Sequence, residues 1–268
     1  MRNKVLIVSF LLSTVVAISQ ESEPGGIWTA ISADKDITKK WSVGGELEFR
    51  TKGFTTDRDR FAAQIGTDYQ LMKNFKVGVS YNWLNVDDDY KFSSDSIRTD
   101  YFQNRHRLNT QAVWRFKTGN LTLQFRERFQ ATFKDDSDRI NAKNEINNNR
   151  INPEFVWRNR IKMTYSRKKM PWSPYFSFET YYLLNEPEQV RFFSSDLTSF
   201  TERTHFFSKL RYSLGVDYKI NKRHSVGVNG LFSHERGASE QAVPGPNYYA
   251  ISPWTNDFGV GISYNIQL

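Results

Sequence analysis

The segment Phe258-Gly259-Val260-Gly261-Ile262-Ser263-Tyr264-Asn265-Ile266-Gln267-Leu268 decides the fold. Phe258, Val260, Ile262, Tyr264, Ile266 and Leu268 share one side of an extended chain, and Gly259, Gly261, Ser263, Asn265 and Gln267 share the other. A soluble sandwich would need a second sheet over that apolar face, whereas a bilayer covers it directly. Roughly ten residues cross a bilayer as a tilted strand. The segment therefore reads as the final strand of a transmembrane β-barrel, ending on Leu268 rather than on an aromatic residue.

Working backwards, the same period of two recurs. Trp41, Val43, Leu47 and Phe49 alternate with Ser42, Gly44, Glu46, Glu48 and Arg50. Phe61, Ala63, Ile65, Thr67 and Tyr69 alternate with Arg60, Gln64, Gly66 and Asp68, and Phe75, Val77, Val79, Tyr81 and Trp83 with Lys76, Gly78, Ser80 and Asn82. Further on, Phe155, Trp157, Ile161 and Met163 alternate with Arg158, Arg160 and Lys162, and Leu210, Tyr212, Leu214 and Val216 with Lys209, Arg211, Ser213, Gly215 and Asp217. Eleven such segments are clear, counting a first one at residues 27–33. Bacterial single-chain barrels usually have an even number. We therefore expect ten to twelve strands and prefer twelve, with a further strand hidden at residues 190–200 or a first segment that is not a full barrel strand.

The central hairpin predicts a register. A Thr118-Gly119 turn pairs Lys117 with Asn120, and then Phe116 faces Leu121, Trp114 faces Leu123 and Ala112 faces Phe125, all on the lipid side. The lumen side then pairs Gln111 with Arg126 and Asn109 with Arg128. Slipping by one residue would put arginine into lipid at a cost of about 2 to 4 kcal/mol at mid-depth. Glu127, opposite Thr110 on the lipid side, is the one exception and is expected near the headgroups.

Connections near Lys39, Asn74, Thr118, Trp172 and Asn221 are short, while those around residues 51–59, 85–100, 134–152, 185–203 and 235–253 are longer and polar. Outer-membrane barrels put short turns in the periplasm and long loops outside. Trp41, Trp114 and Trp172 fall near the short turns and Trp28, Trp83, Trp157 and Trp254 near the long loops, which predicts two interfacial girdles.

Composition agrees. A mean hydropathy of −0.63 leaves no room for membrane helices beyond the leader, yet a barrel dilutes its apolar face with a polar lumen. Arg2 and Lys4, the apolar run 5–17 and the small residues Ala17 and Ser19 form a signal peptide over residues 1–19, leaving 20–268 as the barrel. Export removes nucleic acid as the natural partner for a net charge of +8. Cysteine is absent, so there is no disulfide framework or thiol chemistry.

Ile27-Trp28-Thr29, Lys39-Lys40-Trp41-Ser42, Asn104-Arg105-His106-Arg107-Leu108, Phe125-Arg126-Glu127-Arg128, Arg158-Asn159-Arg160-Ile161-Lys162, Ser173-Pro174-Tyr175 and Tyr212-Ser213-Leu214-Gly215-Val216-Asp217-Tyr218-Lys219 occur in an order that resembles the domain of unknown function family 2490 of Gram-negative outer-membrane proteins. The resemblance implies an outer-membrane barrel of this size and no known activity.

The candidate site is a basic patch on the lumen face: Arg105, Arg107, Arg126, Arg128, Arg158 and Arg160. Converging guanidinium groups bind phosphate or carboxylate in bidentate fashion. The competing expectation is a structural network with acids such as Glu46, Glu48, Glu179 and Asp217, since buried charges must pair. His106, His205, His224 and His234 offer an alternative, an outer-membrane lipid-acting esterase, although no serine stands opposite His106 in the expected register. A soluble exported β-sandwich that binds a partner is the third possibility. Asp87-Asp88-Asp89 and Asp135, Asp136 and Asp138 suit divalent cations bridging lipopolysaccharide phosphates, but solvated loops are the simpler account. Neither metal-ligand spacing nor a phosphate-binding glycine loop is present, so no cofactor or metal is expected. The expected partners are outer-membrane lipid, lipopolysaccharide, the outer-membrane assembly machinery and a small anionic solute.

Overall fold

A computed structural model describes backbone and side chains at residues 26–87, 102–134, 153–185, 207–235 and 254–268, and backbone alone at 90–92, 97–99, 191–193, 199–201, 206, 236, 241–243 and 249–251. The leader at 1–19, His205, Asp135, Asp136 and Asp138 lie outside the described residues, as do Asp88 and Asp89.

Eleven strands form one closed barrel: β1 (Ile27–Asp36), β2 (Trp41–Thr51), β3 (Arg58–Met72), β4 (Phe75–Asp87), β5 (Phe102–Thr118), β6 (Leu121–Lys134), β7 (Glu154–Tyr165), β8 (Trp172–Leu183), β9 (Phe206–Lys219), β10 (His224–Arg236) and β11 (Trp254–Gln267). Each pairs antiparallel with its sequence neighbours. The closure differs, because β1 and β11 run parallel from Ile27 beside Val260 to Asp34 beside Gln267. The count lies within the expected range but is not the preferred twelve. The first segment is a full barrel strand, and the described residues of the stretch at 190–200 belong to a separate hairpin of Arg191–Phe193 with Ser199–Thr201. With an odd number of alternating strands the first and last must point the same way, so a parallel pair is required. Leu268 N–H donates to Asp34 O at 2.8 Å and Val260 N–H to Gly26 O at 2.9 Å, so both edges are satisfied there.

Short turns at one end and longer connections at the other follow the expected pattern. Two of the other long connections also carry a two-stranded hairpin, Tyr90–Phe92 with Ile97–Thr99 and Gln241–Val243 with Tyr249–Ile251.

The barrel is inside-out relative to a soluble protein. Ile65 is 62% and Leu214 60% exposed on the outer wall, while Gln103, Thr132 and Ser233 are buried inside. Phe258, Val260, Ile262, Tyr264 and Ile266 lie on the outer face of β11, which pairs Ile262 with Val228 and Tyr264 with Val226.

The central hairpin keeps its expected faces but shifts register by two. Thr118 pairs with Leu121, Phe116 with Leu123, Trp114 with Phe125 and Ala112 with Glu127. Gly119 and Asn120 make the turn, with Gly119 at φ +56. A tight hairpin needs positive φ at its first central position, which glycine adopts freely and β-branched Thr118 does not. The even shift moves Asn109 opposite Gln130 and Gln111 opposite Arg128 without turning a side chain over. Trp28 departs from the girdle expectation: it faces the lumen, where the Arg50 guanidinium lies 3.5 Å and the Arg211 guanidinium 4.7 Å from its ring centroid.

Candidate anion site in the lumen

Inward positions of six strands bring arginines around one cavity of about 320 Å³. Its lining includes Arg50, Arg60, Arg107, Arg126, Arg128, Arg158, Arg160 and Arg211, against only three carboxylates, Glu46, Glu48 and Glu179. Five of the six predicted residues line it. Arg105 does not; it lies farther towards the long connections, and its Nε donates to Gln103 Oε1 at 2.9 Å.

Glu179, buried at the centre of β8, is the main counter-charge. Arg126 Nη2 donates to its Oε1 at 2.5 Å and Arg158 Nη2 to its Oε2 at 2.9 Å. Tyr181 Oη donates to the same Oε2 at 2.9 Å and accepts from Arg211 Nη1 at 2.7 Å and Arg158 Nη2 at 2.8 Å. Glu48 holds Arg50 through two bonds of 2.8 and 3.0 Å. Neutral partners serve other arginines: Arg128 Nη2 donates to Gln111 Oε1 at 2.8 Å and Arg107 Nε to Thr132 Oγ1 at 2.9 Å.

The structural network is therefore real, and it is incomplete. Buried Nε groups of Arg60, Arg126, Arg128, Arg158 and Arg160 have no protein acceptor. The side chains of Arg60 and Arg160 make no hydrogen bond or ion pair among the described residues. A buried guanidinium without an acceptor carries a desolvation cost that an anion in the cavity would remove.

Towards the short turns the lumen carries acid–lysine pairs instead. Asp68 accepts from Lys76 Nζ at 2.5 Å and Gln111 Nε2 at 3.0 Å, and Asp217 meets Lys162 at 3.6 Å. Gly78 and Gly44 leave room for the acids in this layer: a Cβ on either would lie 2.0 or 2.1 Å from Oδ1 of Asp68 or Asp34 and would turn that carboxylate aside.

Arg50, Arg60 and Arg211 were visible in sequence as inward positions, yet only closure of β2, β3 and β9 around the lumen brings them to the patch. Elsewhere, the histidines of the esterase alternative meet Tyr81 (His106, 2.7 Å), Tyr264 (His224, 2.8 Å) and Asn256 (His234, 2.7 Å) rather than serine.

A family model described as protein of unknown function (DUF2490) matches residues 25–243. The chain belongs to this family. The DUF2490 barrel is similar to a solved NanC porin at 11% identity and a TM-score of 0.47, over 91% of this chain and 98% of that one. It is also similar to the β domain of the Bordetella autotransporter BrkA, at 13% identity and a TM-score of 0.43 over 82% of each chain. Vibrio cholerae OmpT matches at 11% identity and a TM-score of 0.36 over 84% of this chain, which spans 60% of that one. No curated protein matches the chain in sequence. The protein is a closed β-barrel of the DUF2490 family.

Proposed function

We propose that this barrel binds a small anionic solute in its lumen, without catalysis. One observation carries the reading: eight arginines face three carboxylates around a single cavity, and the side chains of Arg60 and Arg160 make no hydrogen bond or ion pair among the described residues. A phosphate or carboxylate group placed there would accept from several guanidinium forks at once. On the short-turn side Asp68 and Asp217 are matched by Lys76 and Lys162, so the excess positive charge is concentrated at the cavity, which favours binding there over free conduction. Lipid and lipopolysaccharide would surround the outer wall, and insertion would require the outer-membrane assembly machinery.

The test uses purified protein in planar bilayers and in calorimetry with inorganic phosphate and citrate. Arg60→Gln with Arg160→Gln removes two cations that make no side-chain hydrogen bond or ion pair among the described residues, so the double variant should assemble normally and bind anions about tenfold more weakly or worse. Any conductance of the wild type should favour anions. Wild-type protein that shows neither anion binding nor anion preference would leave the arginines as scaffolding.

A further inference from the structure

On the outer wall, Glu127 faces lipid at the middle of the 14-residue β6, between the outward rings of Phe125 and Phe129. The expectation that it would lie near the headgroups does not hold. Among the described residues it is the one outward charged side chain more than two residues from a strand end. Directly beside it stand two more outward polar residues, Asn159 of β7 and Thr180 of β8, in register across three successive strands. Neither the Glu127 nor the Asn159 side chain has a hydrogen-bond or ion-pair partner among the described residues. Hydrocarbon offers none either. A carboxyl group at this depth, ionised or protonated, and a carboxamide are both costly unless another protein surface supplies their bonds.

We propose that this wall is the contact between two copies of the barrel. Two barrels inserted in the same sense can be related only by an axis along the membrane normal, and a two-fold contact is self-complementary. Glu127 accepts hydrogen bonds, Asn159 donates them, and they sit directly opposite each other on adjacent strands. A two-fold axis between β6 and β7 therefore sets Glu127 against Asn159 of the partner subunit, and Asn159 against the partner subunit's Glu127. Both orphan groups are satisfied twice by one symmetry operation. Next to Glu127 the wall is dented, with Val77, Thr110 and Ala112 lining a depression of about 500 Å³. Small outward residues of this kind allow close approach between membrane-embedded surfaces.

Full-length protein in lipid nanodiscs should have the mass of two copies by native mass spectrometry. Glu127→Leu should weaken the pairing about tenfold or more, since two symmetry-related bonds are lost, while heat-modifiable gel mobility shows an intact barrel. Glu127→Gln should keep the pair. Because the chain contains no cysteine, differently tagged copies carrying Phe125→Cys and Ile161→Cys report the contact without background and should form a disulfide between chains in isolated membranes. Should Glu127→Leu fail to assemble, Asn159→Leu replaces it, and the cross-link decides on the otherwise native wall. A wild type of one copy, alone or with a different protein, or an undiminished dimer in an assembled Glu127→Leu or Asn159→Leu variant, overturns the proposal.

Discussion

Glu179 and Arg160 lie on the same lumen face, directly opposite each other on β8 and β7, yet removing them should have opposite consequences. Glu179 neutralises Arg126 and Arg158 and accepts from Tyr181. Glu179→Gln leaves both guanidinium groups short of charge in a buried site, which should cost about 3 kcal/mol. Urea titration followed by gel mobility measures this, and an unchanged midpoint would show that the cavity screens these charges. Arg160 makes no side-chain hydrogen bond or ion pair among the described residues and is buried among other arginines, so Arg160→Gln should leave the unfolding midpoint unchanged or raise it. Glu127 belongs to this scale as well, being a residue whose position is costly in the isolated barrel.

Individual strands can be tested by which face they show. On β11, Ile262 points outward and is 46% exposed, whereas Asn265 points inward and its Oδ1 accepts from Ser32 Oγ at 2.7 Å. Ile262→Asp puts a carboxylate at bilayer depth and should deplete the protein from the outer membrane, while Asn265→Asp keeps the acceptor and should assemble. Equal yields of the two would remove β11 from the lipid face. In the central hairpin, nitroxides at positions 116 and 123 should couple more strongly than those at 116 and 121, because Phe116 stands opposite Leu123. The reverse order would restore a Thr118-Gly119 turn.

For the whole molecule the parallel seam is the distinguishing feature. Parallel pairing is slightly weaker per residue than antiparallel pairing, and β1 joins β11 without a connecting turn. The barrel should therefore open there first. Hydrogen exchange in detergent should be faster at residues 27–33 than in β5 and β6, which share a tight turn and pair along the full length of β6. Faster exchange in the β5–β6 hairpin would place the weak point elsewhere.

Alternation by itself determined which face of nearly every strand meets lipid, because the side-chain period of a strand is a local property of the backbone. Phe258 to Leu268 could be read without any other part of the chain, and Arg107, Arg126, Arg128, Arg158 and Arg160 were assigned to the lumen on the same ground. Trp28 escaped this logic, since its weakly patterned strand does not announce its phase and its guanidinium partners come from β2 and β9. Strand number, the parallel closure and the two-residue register shift were decided by tertiary structure: each depends on how edges meet or on the φ of a single glycine, to which face alternation is blind. So was the composition of the site. Glu179, Arg50 and Arg60 are far apart in the chain, and only the closed circle of strands determines which charges share a cavity and which are left without a partner.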